Sequence, residues 1–384
     1  MSKQKMNRLI IGAAAVSACL SGISCSNRPS TSTENAAERE EQLMIVGTYT
    51  DAESRGIYTF RFNQLTAEWQ PLDSAEVSNP SFIAIDSQRS LLYAVSENGD
   101  ESDALNLLTI QPATGAMTLK GSWLTEGAAP CYVSAAEGLA VTANYTGGSL
   151  SLFPLDAAGC PMPLDTLFRG VATGNNPMRQ ATPHVHCAHF SPDGRFLFAT
   201  DFSSDRLLRF RVQNEAGHRL ESPELAATIE SGSGPRHLTF APDGRHLYLI
   251  SELSGMIHAF AYQPEDGTLT LKQTIETDSV HAQGSAHIQL SSDGRYLYAS
   301  NRLAHEGVAI YAVNPDDGQL TSIGYQLTGR HPRHFNLTPN GRYLLVACRD
   351  SHQIEIYQRD PSTGHLTATG KAIPLSKPVF IGWF

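Results

Sequence analysis

Short apolar runs that alternate with polar residues recur along most of this chain. Four segments have nearly the same sequence pattern: residues 190–201 (FSPDGRFLFATD), 240–252 (FAPDGRHLYLISE), 290–301 (LSSDGRYLYASN) and 337–349 (LTPNGRYLLVACR). Each has an apolar run, an Asp-Gly or Asn-Gly pair and a second apolar run, which is the pattern of a tight β-hairpin. The hairpins recur roughly every 50 residues, and such a period indicates a repeat architecture.

Three weaker copies of the hairpin extend the repeat towards the N-terminus. Their second runs end near Asn144, Glu97 and Thr48, which keeps the same phase and brings the number of units to seven. Each unit continues with another pair of alternating runs, as in residues 308–324 (VAIYAVNPDDGQLTSIG), and no segment has the pattern of a long amphipathic helix. We therefore predict an all-β fold, a seven-bladed β-propeller with mainly four antiparallel strands per blade.

The two ends of the repeat predict how the ring closes. The chain enters the repeat at Met44 with the second run of a hairpin, and it finishes with residues 377–384 (KPVFIGWF), which resemble the first run at residues 79–85 (NPSFIAI). The C-terminal strand is therefore expected beside the N-terminal unit, where it would cover two exposed sheet edges.

The N-terminal segment has a composition unlike the repeat. Lys3, Lys5 and Arg8 precede residues 9–20, which are almost wholly apolar and small. This pattern predicts an export signal, and it is too short for a membrane span. Residues 1–25 are read as a signal peptide of lipoprotein type, residues 26–42 as a flexible polar tether and residues 43–384 as the propeller.

Two cysteines at the end of the signal are candidates for lipidation. Cys19 closes the sequence VSAC, and Cys25 lies in the sequence SCS. We expect an exported lipoprotein of a bacterial cell envelope, held at the membrane only by this anchor. The alternative is a plain cleaved signal in which both cysteines are incidental.

Charge and cysteine usage narrow the possible partners. The formal net charge is -10 and no Lys/Arg-rich run occurs, so nucleic acid and anionic membrane surfaces are not expected partners. The propeller segment contains four cysteines without any CxxC pair, so a zinc site made from them is not expected.

Polar side chains gather at the end of each predicted hairpin that lies far from its Asp-Gly turn. The start of the first strand and the end of the second must share that end, so we expect these residues around one mouth of the central channel. The residues at first-strand starts are His184, His186, Arg236, His237, His287, Arg333 and His334. Those at second-strand ends are Glu97, Asn144, Asp201, Glu252, Asn301 and Arg302.

Pairing the two strands of one hairpin about its Asp243-Gly244 turn sets Arg236 beside Glu252. Acids, bases and fixed cations at this mouth could together activate water and stabilise an oxyanion. Several arginines at one mouth favour an anionic ligand, although polar lining is also usual for a hydrated channel.

Longer motifs around these residues carry a family resemblance that covers nearly all of residues 43–384. They are GTYT at Gly47, HVHCAHFSPDGR at His184, SGPRHLTFAPDGRHLYLISELSG at Ser233, SAHIQLSSDGRYLYASNR at Ser285 and HPRHFNLTPNGRYLLVACRDS at His331. With them the chain resembles the lactonase family of seven-bladed propellers, which includes the propeller type of 6-phosphogluconolactonase and a fungal carboxymuconate-lactonizing enzyme.

The resemblance implies an active site and a reaction class. The lactonizing enzyme's proposed His, Arg, Glu and Arg fall by motif on His186, Arg236, Glu252 and Arg302; the His could instead be His184, and the second Arg could be Arg333. His184, His237, His287, Arg333, Asp201 and Asn301 are the candidates for substrate binding. No cofactor and no metal ion is expected.

The leading hypothesis is a lactone hydrolase that opens a sugar lactone or a related cyclic ester to its hydroxy acid. Glu252 or His186 would act as the base, while Arg236 and Arg302 would hold the developing oxyanion and an anionic group of the lactone or sugar acid. A lactonizing isomerase and a non-catalytic surface module that binds sugars or protein remain the alternatives. Since 6-phosphogluconolactone is made in the cytoplasm, an export signal favours a different lactone as the substrate.

Replacing both Cys19 and Cys25 with Ser is expected to release the protein from the membrane fraction, because no other membrane attachment is predicted. Fractionation of cells that express the wild type and the double variant measures this, with Cys160→Ser inside the propeller as the control. Unchanged membrane association of the double variant would contradict lipid anchoring.

Overall fold

The computed structural model describes residues 39–213 and 219–384, and these form seven antiparallel sheets. The predicted all-β, seven-bladed β-propeller is thereby confirmed, with four strands in every sheet except one that has a fifth, short strand. The predicted signal peptide, Cys19, Cys25 and most of the predicted tether lie outside the described residues.

The strands follow one another around the ring in chain order. Blade 1 contains β1 (Glu41–Thr48), β2 (Gly56–Asn63) and β3 (Trp69–Glu76). Blade 2 contains β4 (Ile83–Asp86), β5 (Leu91–Ser96), β6 (Ala104–Ile110) and β7 (Met117–Leu124), and blade 3 contains β8 (Pro130–Ala136), β9 (Leu139–Asn144), β10 (Ser149–Pro154) and β11 (Thr166–Arg169). Blade 4 contains β12 (Val185–Phe190), β13 (Phe196–Asp201), β14 (Arg206–Gln213), the short β15 (Arg219–Leu220) and β16 (Glu224–Thr228).

Blades 5 to 7 repeat the regular four-stranded order. Blade 5 contains β17 (Pro235–Phe240), β18 (His246–Ser251), β19 (Met256–Gln263) and β20 (Thr268–Glu276). Blade 6 contains β21 (Ser285–Leu290), β22 (Tyr296–Asn301), β23 (Gly307–Val313) and β24 (Leu320–Leu327). Blade 7 contains β25 (Pro332–Leu337), β26 (Tyr343–Cys348), β27 (Gln353–Arg359) and β28 (Leu366–Pro374), and the last strand is β29 (Pro378–Trp383). Within the described ranges the one helix is a single 3-10 turn, Arg349–Ser351, so no helix there is long and apolar enough to cross a membrane.

The C-terminal strand closes the ring as predicted. β29 pairs antiparallel with β1, from Met44 opposite Trp383 to Thr48 opposite Pro378, and forms the innermost strand of blade 1. Ile381 is fully buried among Met44 and Val46 of blade 1 and Leu345 of blade 7. The first and last parts of the chain therefore share one apolar core, which ties the ring shut.

The Asp-Gly and Asn-Gly pairs form the predicted turns between the first and second strands. Gly194, Gly244, Gly294 and Gly341 have φ between 66° and 70°, the left-handed region that glycine enters without steric cost. These turns occupy one face of the ring. The opposite end of the central channel is called the mouth below.

One backbone hydrogen bond recurs at the mouth in all seven blades. The residue just after the second strand donates its N–H to the carbonyl of a residue just before the first strand, as Glu252 does to Gly234 (2.8 Å) and Glu97 to Asn79 (3.1 Å). The residues held in this way, called the mouth residues, are Tyr49, Glu97, Tyr145, Phe202, Glu252, Arg302 and Arg349.

A second set of side chains is aimed by bulges at the start of the innermost strands. The pairing register shifts between Pro130 and Tyr132, Val185 and Cys187, Pro235 and His237, and Pro332 and His334. A bulge leaves one residue unpaired and re-aims its side chain. The residues at these four bulges, called the bulge residues, are Cys131, His186, Arg236 and Arg333.

Ile381→Ala is expected to lower the free energy of unfolding by about 2–5 kcal/mol, because it opens a cavity in the core that joins the two ends of the chain. Urea denaturation of both proteins measures the difference. The control is Leu327→Ala, since the Leu327 side chain is exposed and its loss leaves no cavity. Equal stability losses in the two variants would show that the C-terminal strand does not lock the ring.

Candidate active site

The centre of the mouth is a buried carboxylate shared by three guanidinium groups. Glu252 Oε2 accepts from Arg236 Nε (2.9 Å) and lies 3.0 Å from Arg302 Nη2, while its Oε1 accepts from Arg179 Nη2 (2.7 Å). Both oxygens are thus occupied by cations. We call Glu252 with these three arginines the Glu252 cluster.

Two of the three arginines are fixed by further backbone contacts. Arg236 is 1% exposed, and its Nη1 donates to the Ala286 carbonyl (2.7 Å). Arg302 donates through Nε to the Gly284 carbonyl (2.9 Å). Among the described residues, Arg236 Nη2 and Arg302 Nη1 have no hydrogen-bond partner, so each guanidinium keeps a donor for a ligand.

The charges of the Glu252 cluster set its protonation states. Burial alone would raise the pKa of Glu252, but the charges of Arg302, Arg236 and Arg179 outweigh burial and hold that pKa well below its usual range. Burial and the neighbouring charge of Arg302 lower the pKa of Arg236 to about 9. Glu252 is therefore a carboxylate and Arg236 a cation at neutral pH.

Arg179 reaches the cluster from the connection between blades 3 and 4. The neighbouring Gln180 is buried and anchors this connection by donating from Nε2 to the Phe202 carbonyl and to Asp205 Oδ1 (both 2.8 Å). Arg179 also donates to Tyr145 Oη (3.1 Å). Its side chain is 37% exposed, against 2% for Arg236, so Arg179 is the cation of the cluster that an incoming anion meets first.

His186 is a neutral imidazole with one nitrogen available. Burial, followed by the charge of Arg236, holds its pKa well below the usual value. Cys131 Sγ lies 3.3 Å from the His186 carbonyl oxygen and 3.6 Å from His186 Nδ1. Burial raises the pKa of the Cys131 thiol, which therefore keeps its proton and donates it to the carbonyl. We assign the His186 proton to Nδ1, facing the sulfur, and the lone pair to Nε2, which has no hydrogen-bond partner among the described residues.

A layer of rings closes the channel beneath the cluster. The ring of Phe82 in blade 2 lies 5.8 Å from that of His237 in blade 5 and 5.7 Å from that of His334 in blade 7. The layer consists of Phe82, Tyr132, His237, His287, His334 and Phe380. Because Phe82 contacts blades on the far side of the ring, the channel is filled at this level, and a ligand reaches the Glu252 cluster from the mouth.

The histidines of this layer continue the hydrogen bonding of Arg236 downwards. Arg236 Nη1 donates to His237 Nε2 (3.2 Å), so the proton of a neutral His237 is on Nδ1, which lies 3.1 Å from His287 Nδ1. Burial holds the pKa of His237 well below its usual value and lowers that of His287 to about 3. These two substrate-binding candidates therefore lie in the floor of the site as neutral rings.

The remaining sequence candidates divide between the rim and the interior of the blades. His184 lies at the rim, where its ring stacks on Tyr145 at 4.3 Å and its Nδ1 lies 2.8 Å from the Tyr145 carbonyl oxygen. Arg333 is a bulge residue of blade 7 and faces Glu97, with 3.5 Å between its Nη2 and Glu97 Oε2.

Asp201 and Asn301 lie one residue before the mouth positions. Asp201 Oδ2 accepts from the Val171 backbone (3.3 Å), and burial raises its pKa. Asn301 accepts from Ser285 Oγ (2.7 Å) of its own blade and donates to the Thr277 carbonyl in the connection between blades 5 and 6. The structure therefore brings neither side chain into the Glu252 cluster.

Sequence reasoning did not identify Arg179, Tyr145 or Cys131 as site residues. Tyr145 occupies the same position in the repeat as Glu252, and Cys131 the same position as Arg236. Their positions within the repeat could therefore have identified them. Arg179 lies in a connection that has no counterpart in the other blades, and no repeat signal marks it.

The site as a whole is positive and suited to an anion. Arg179, Arg236, Arg302 and Arg333 face only two carboxylates, Glu252 and Glu97, although the chain has a formal net charge of -10. No group of three or more His, Cys, Asp or Glu suited to a metal ion occurs in the described part of the chain. The described residues of the site place a neutral imidazole near guanidinium groups that keep hydrogen-bond donors.

Comparison with known proteins agrees with this architecture over the whole propeller. A family model for the seven-bladed β-propeller lactonases matches residues 43–383. A 6-phosphogluconolactonase of Formosa agariphila is 33% identical over 332 residues, which cover 84% of this chain and 94% of that protein.

Two solved structures show the same fold at substantial identity. A Bacteroides uniformis protein, provisionally described as a 6-phosphogluconolactonase, is 51% identical with a TM-score of 0.87, over 90% of this chain and 100% of the other. The periplasmic gluconolactonase of Pseudomonas aeruginosa is 31% identical with a TM-score of 0.85, over 89% of this chain and 99% of the other. This chain therefore belongs to the lactonase family of seven-bladed β-propellers.

Proposed function

We propose that the protein is a lactone hydrolase whose active site consists of His186 and the Glu252 cluster. The observation that carries this proposal is a neutral imidazole with a free nitrogen beside guanidinium groups that keep unused donors. Family membership and relatives named for lactone hydrolysis support the same reaction class.

In the proposed mechanism, His186 acts as the base. Its Nε2 accepts a proton as the water oxygen attacks the lactone carbonyl carbon, and the carbonyl oxygen becomes an oxyanion next to Arg236 and Arg302. The acyl carbon–ring oxygen bond then breaks, and the protonated His186 returns its proton to the ring oxygen. The product is a hydroxy acid that loses its carboxyl proton to water at neutral pH, and its carboxylate remains beside the guanidinium groups.

Glu252 has a different role in this mechanism from the base considered on sequence grounds. Both of its oxygens already accept from guanidinium groups, Oε2 from two and Oε1 from one, and these cationic contacts make the carboxylate a weaker base. We propose that Glu252 holds the three guanidinium groups in place and offsets part of their mutual repulsion. A buried carboxylate between cations stabilises the cluster, while its loss would leave Arg236 buried and unpaired.

We further propose that the substrate is an anionic or polyhydroxylated lactone met outside the cytoplasm. The positive mouth supports an anionic group near Arg179, and the predicted export signal supports an extracytoplasmic location. A 31% identical relative described as a periplasmic gluconolactonase supports a polyhydroxylated lactone and the extracytoplasmic location. Attachment to the membrane through Cys19 or Cys25 belongs to the same proposal.

His186→Gln and Arg179→Gln are expected to affect different kinetic constants. The first removes the base, so kcat on the best lactone falls by about 10²-fold or more with KM little changed. The second removes the exposed cation, so KM for an anionic lactone rises by about 10-fold, in line with one charged hydrogen bond. Initial rates of acid release from a panel of lactones, with thermal melts alongside, measure both effects.

The control for these variants is Arg245→Ala, next to the Asp243-Gly244 turn on the opposite face, which should keep wild-type kinetics. Equal losses in this control and in the mouth variants would place the site elsewhere. If the wild type releases acid from no lactone but binds sugars, the non-catalytic alternative is correct.

A further inference from the structure

A second polar cluster lies on the other side of the mouth and takes no part in the mechanism above. Tyr49 Oη donates to Glu97 Oε2 (2.9 Å), and Arg333 Nη2 lies 3.5 Å from the same oxygen. The Arg333 guanidinium also lies over the Tyr49 ring, 5.3 Å from its centroid. Tyr49, Glu97 and Arg333, from blades 1, 2 and 7, are called the Glu97 cluster.

The two carboxylates of the mouth differ in how many of their oxygens are occupied. Glu252 has partners on both oxygens, whereas Glu97 has both contacts on Oε2. Within the described residues, Glu97 Oε1 has no hydrogen-bond partner, and the side chain is 16% exposed. Glu97 is therefore fixed in position by one oxygen and keeps the other for a ligand.

The Glu97 cluster faces the same space as the Glu252 cluster. Glu97 and Glu252 occupy equivalent mouth positions, each held by its backbone N–H, and Tyr49 and Arg302 are mouth residues of the same ring. Arg333 and Arg236 are equivalent bulge residues. A ligand seated on Arg236 and Arg302 thus meets Glu97 from the opposite side of the mouth.

An unsatisfied hydroxyl lies in the same blade as Glu97. Ser81 Oγ is buried and has no hydrogen-bond partner within the described ranges. Ser81 stands in the sequence Pro80-Ser81-Phe82 where blade 3 has Pro130-Cys131-Tyr132, so it occupies the bulge position of blade 2. Buried polar atoms are nearly always paired, and one left unpaired at a bulge position of the mouth indicates a ligand or water contact.

We infer that the Glu97 cluster, with Ser81, binds the hydroxyl groups of the substrate and so selects a polyhydroxylated lactone over an unsubstituted one. This inference rests on the proposed lactone hydrolysis. A carboxylate oxygen accepts hydrogen bonds and donates none, so Glu97 Oε1 requires a donor from the ligand, and sugar hydroxyls supply such donors. A lactone without hydroxyls would leave Glu97 Oε1 desolvated and unpaired and would give the Ser81 hydroxyl no partner, so its binding is weaker.

The test compares Glu97→Gln with the wild type on two lactones, D-glucono-1,5-lactone and δ-valerolactone, which lacks the hydroxyls. We expect kcat/KM on the gluconolactone to fall by about 10- to 100-fold, the range for a hydrogen bond to a charged group. On δ-valerolactone kcat/KM should not fall, because a neutral amide costs less to desolvate than a carboxylate. Tyr49→Phe should show a smaller loss with the same selectivity, because it only releases the carboxylate from its fixed position. The matched control is Glu68→Gln, an exposed carboxylate paired with Lys371 (2.6 Å) in the turn between β2 and β3, which should change neither rate.

Equal losses on the two lactones, or no loss on either, would overturn the inference. If the wild type opens neither lactone, the proposed function fails, and calorimetric titration with gluconate and 5-hydroxyvalerate then decides on Glu97 separately. Selective binding of gluconate by the wild type that Glu97→Gln abolishes would support the hydroxyl-binding role. Absence of gluconate binding, or equal affinity for the two acids, would contradict it.

Discussion

The contact on which the rest of the site depends is the buried carboxylate of Glu252 between three guanidinium groups. Four arginines approach one mouth, and their mutual repulsion in a poorly solvated space would be costly without a fixed counter-charge. Glu252 supplies that charge and occupies one edge of each of three guanidiniums. The guanidinium N–H groups that Glu252 does not contact remain as donors, and protein contacts rather than water fix their direction. This arrangement stabilises an oxyanion.

The propeller produces this cluster through two local devices that recur in its blades. A backbone hydrogen bond fixes each mouth residue, and a bulge aims the second residue of several innermost strands towards the channel. Beneath them, aromatic and neutral imidazole rings fill the channel. The channel is thus filled with uncharged rings beneath the mouth and lined with charged side chains at the mouth. The closing strand β29 joins the two ends of the ring and so keeps these positions aligned.

The sequence predicted the fold well because each hairpin contains its own turn signal and alternation, and seven copies reinforce one another. It also placed Arg236 beside Glu252 correctly, since Pro235 pairs with Ser251. Prediction was weaker for single side chains, because adjacent strand residues point to opposite sides. Asp201 and Asn301 end their strands one residue before the mouth, and His237 and His287 lie one layer below it. The repeat pattern could not identify Arg179, because the segment between blades 3 and 4 that carries it has no equivalent between the other blades.

We propose above all that Glu252 keeps its guanidinium contacts while the arginines around it receive the anion. A crystal structure of the protein with a bound sugar acid such as gluconate tests this claim most directly. The expected result is a carboxylate within hydrogen-bonding distance of Arg236 and Arg302, His186 Nε2 facing the carboxylate carbon, and Glu252 still in contact with both arginines. A sugar acid bound on the Asp-Gly turn face, or one that displaces Glu252 from the guanidinium groups, would contradict it.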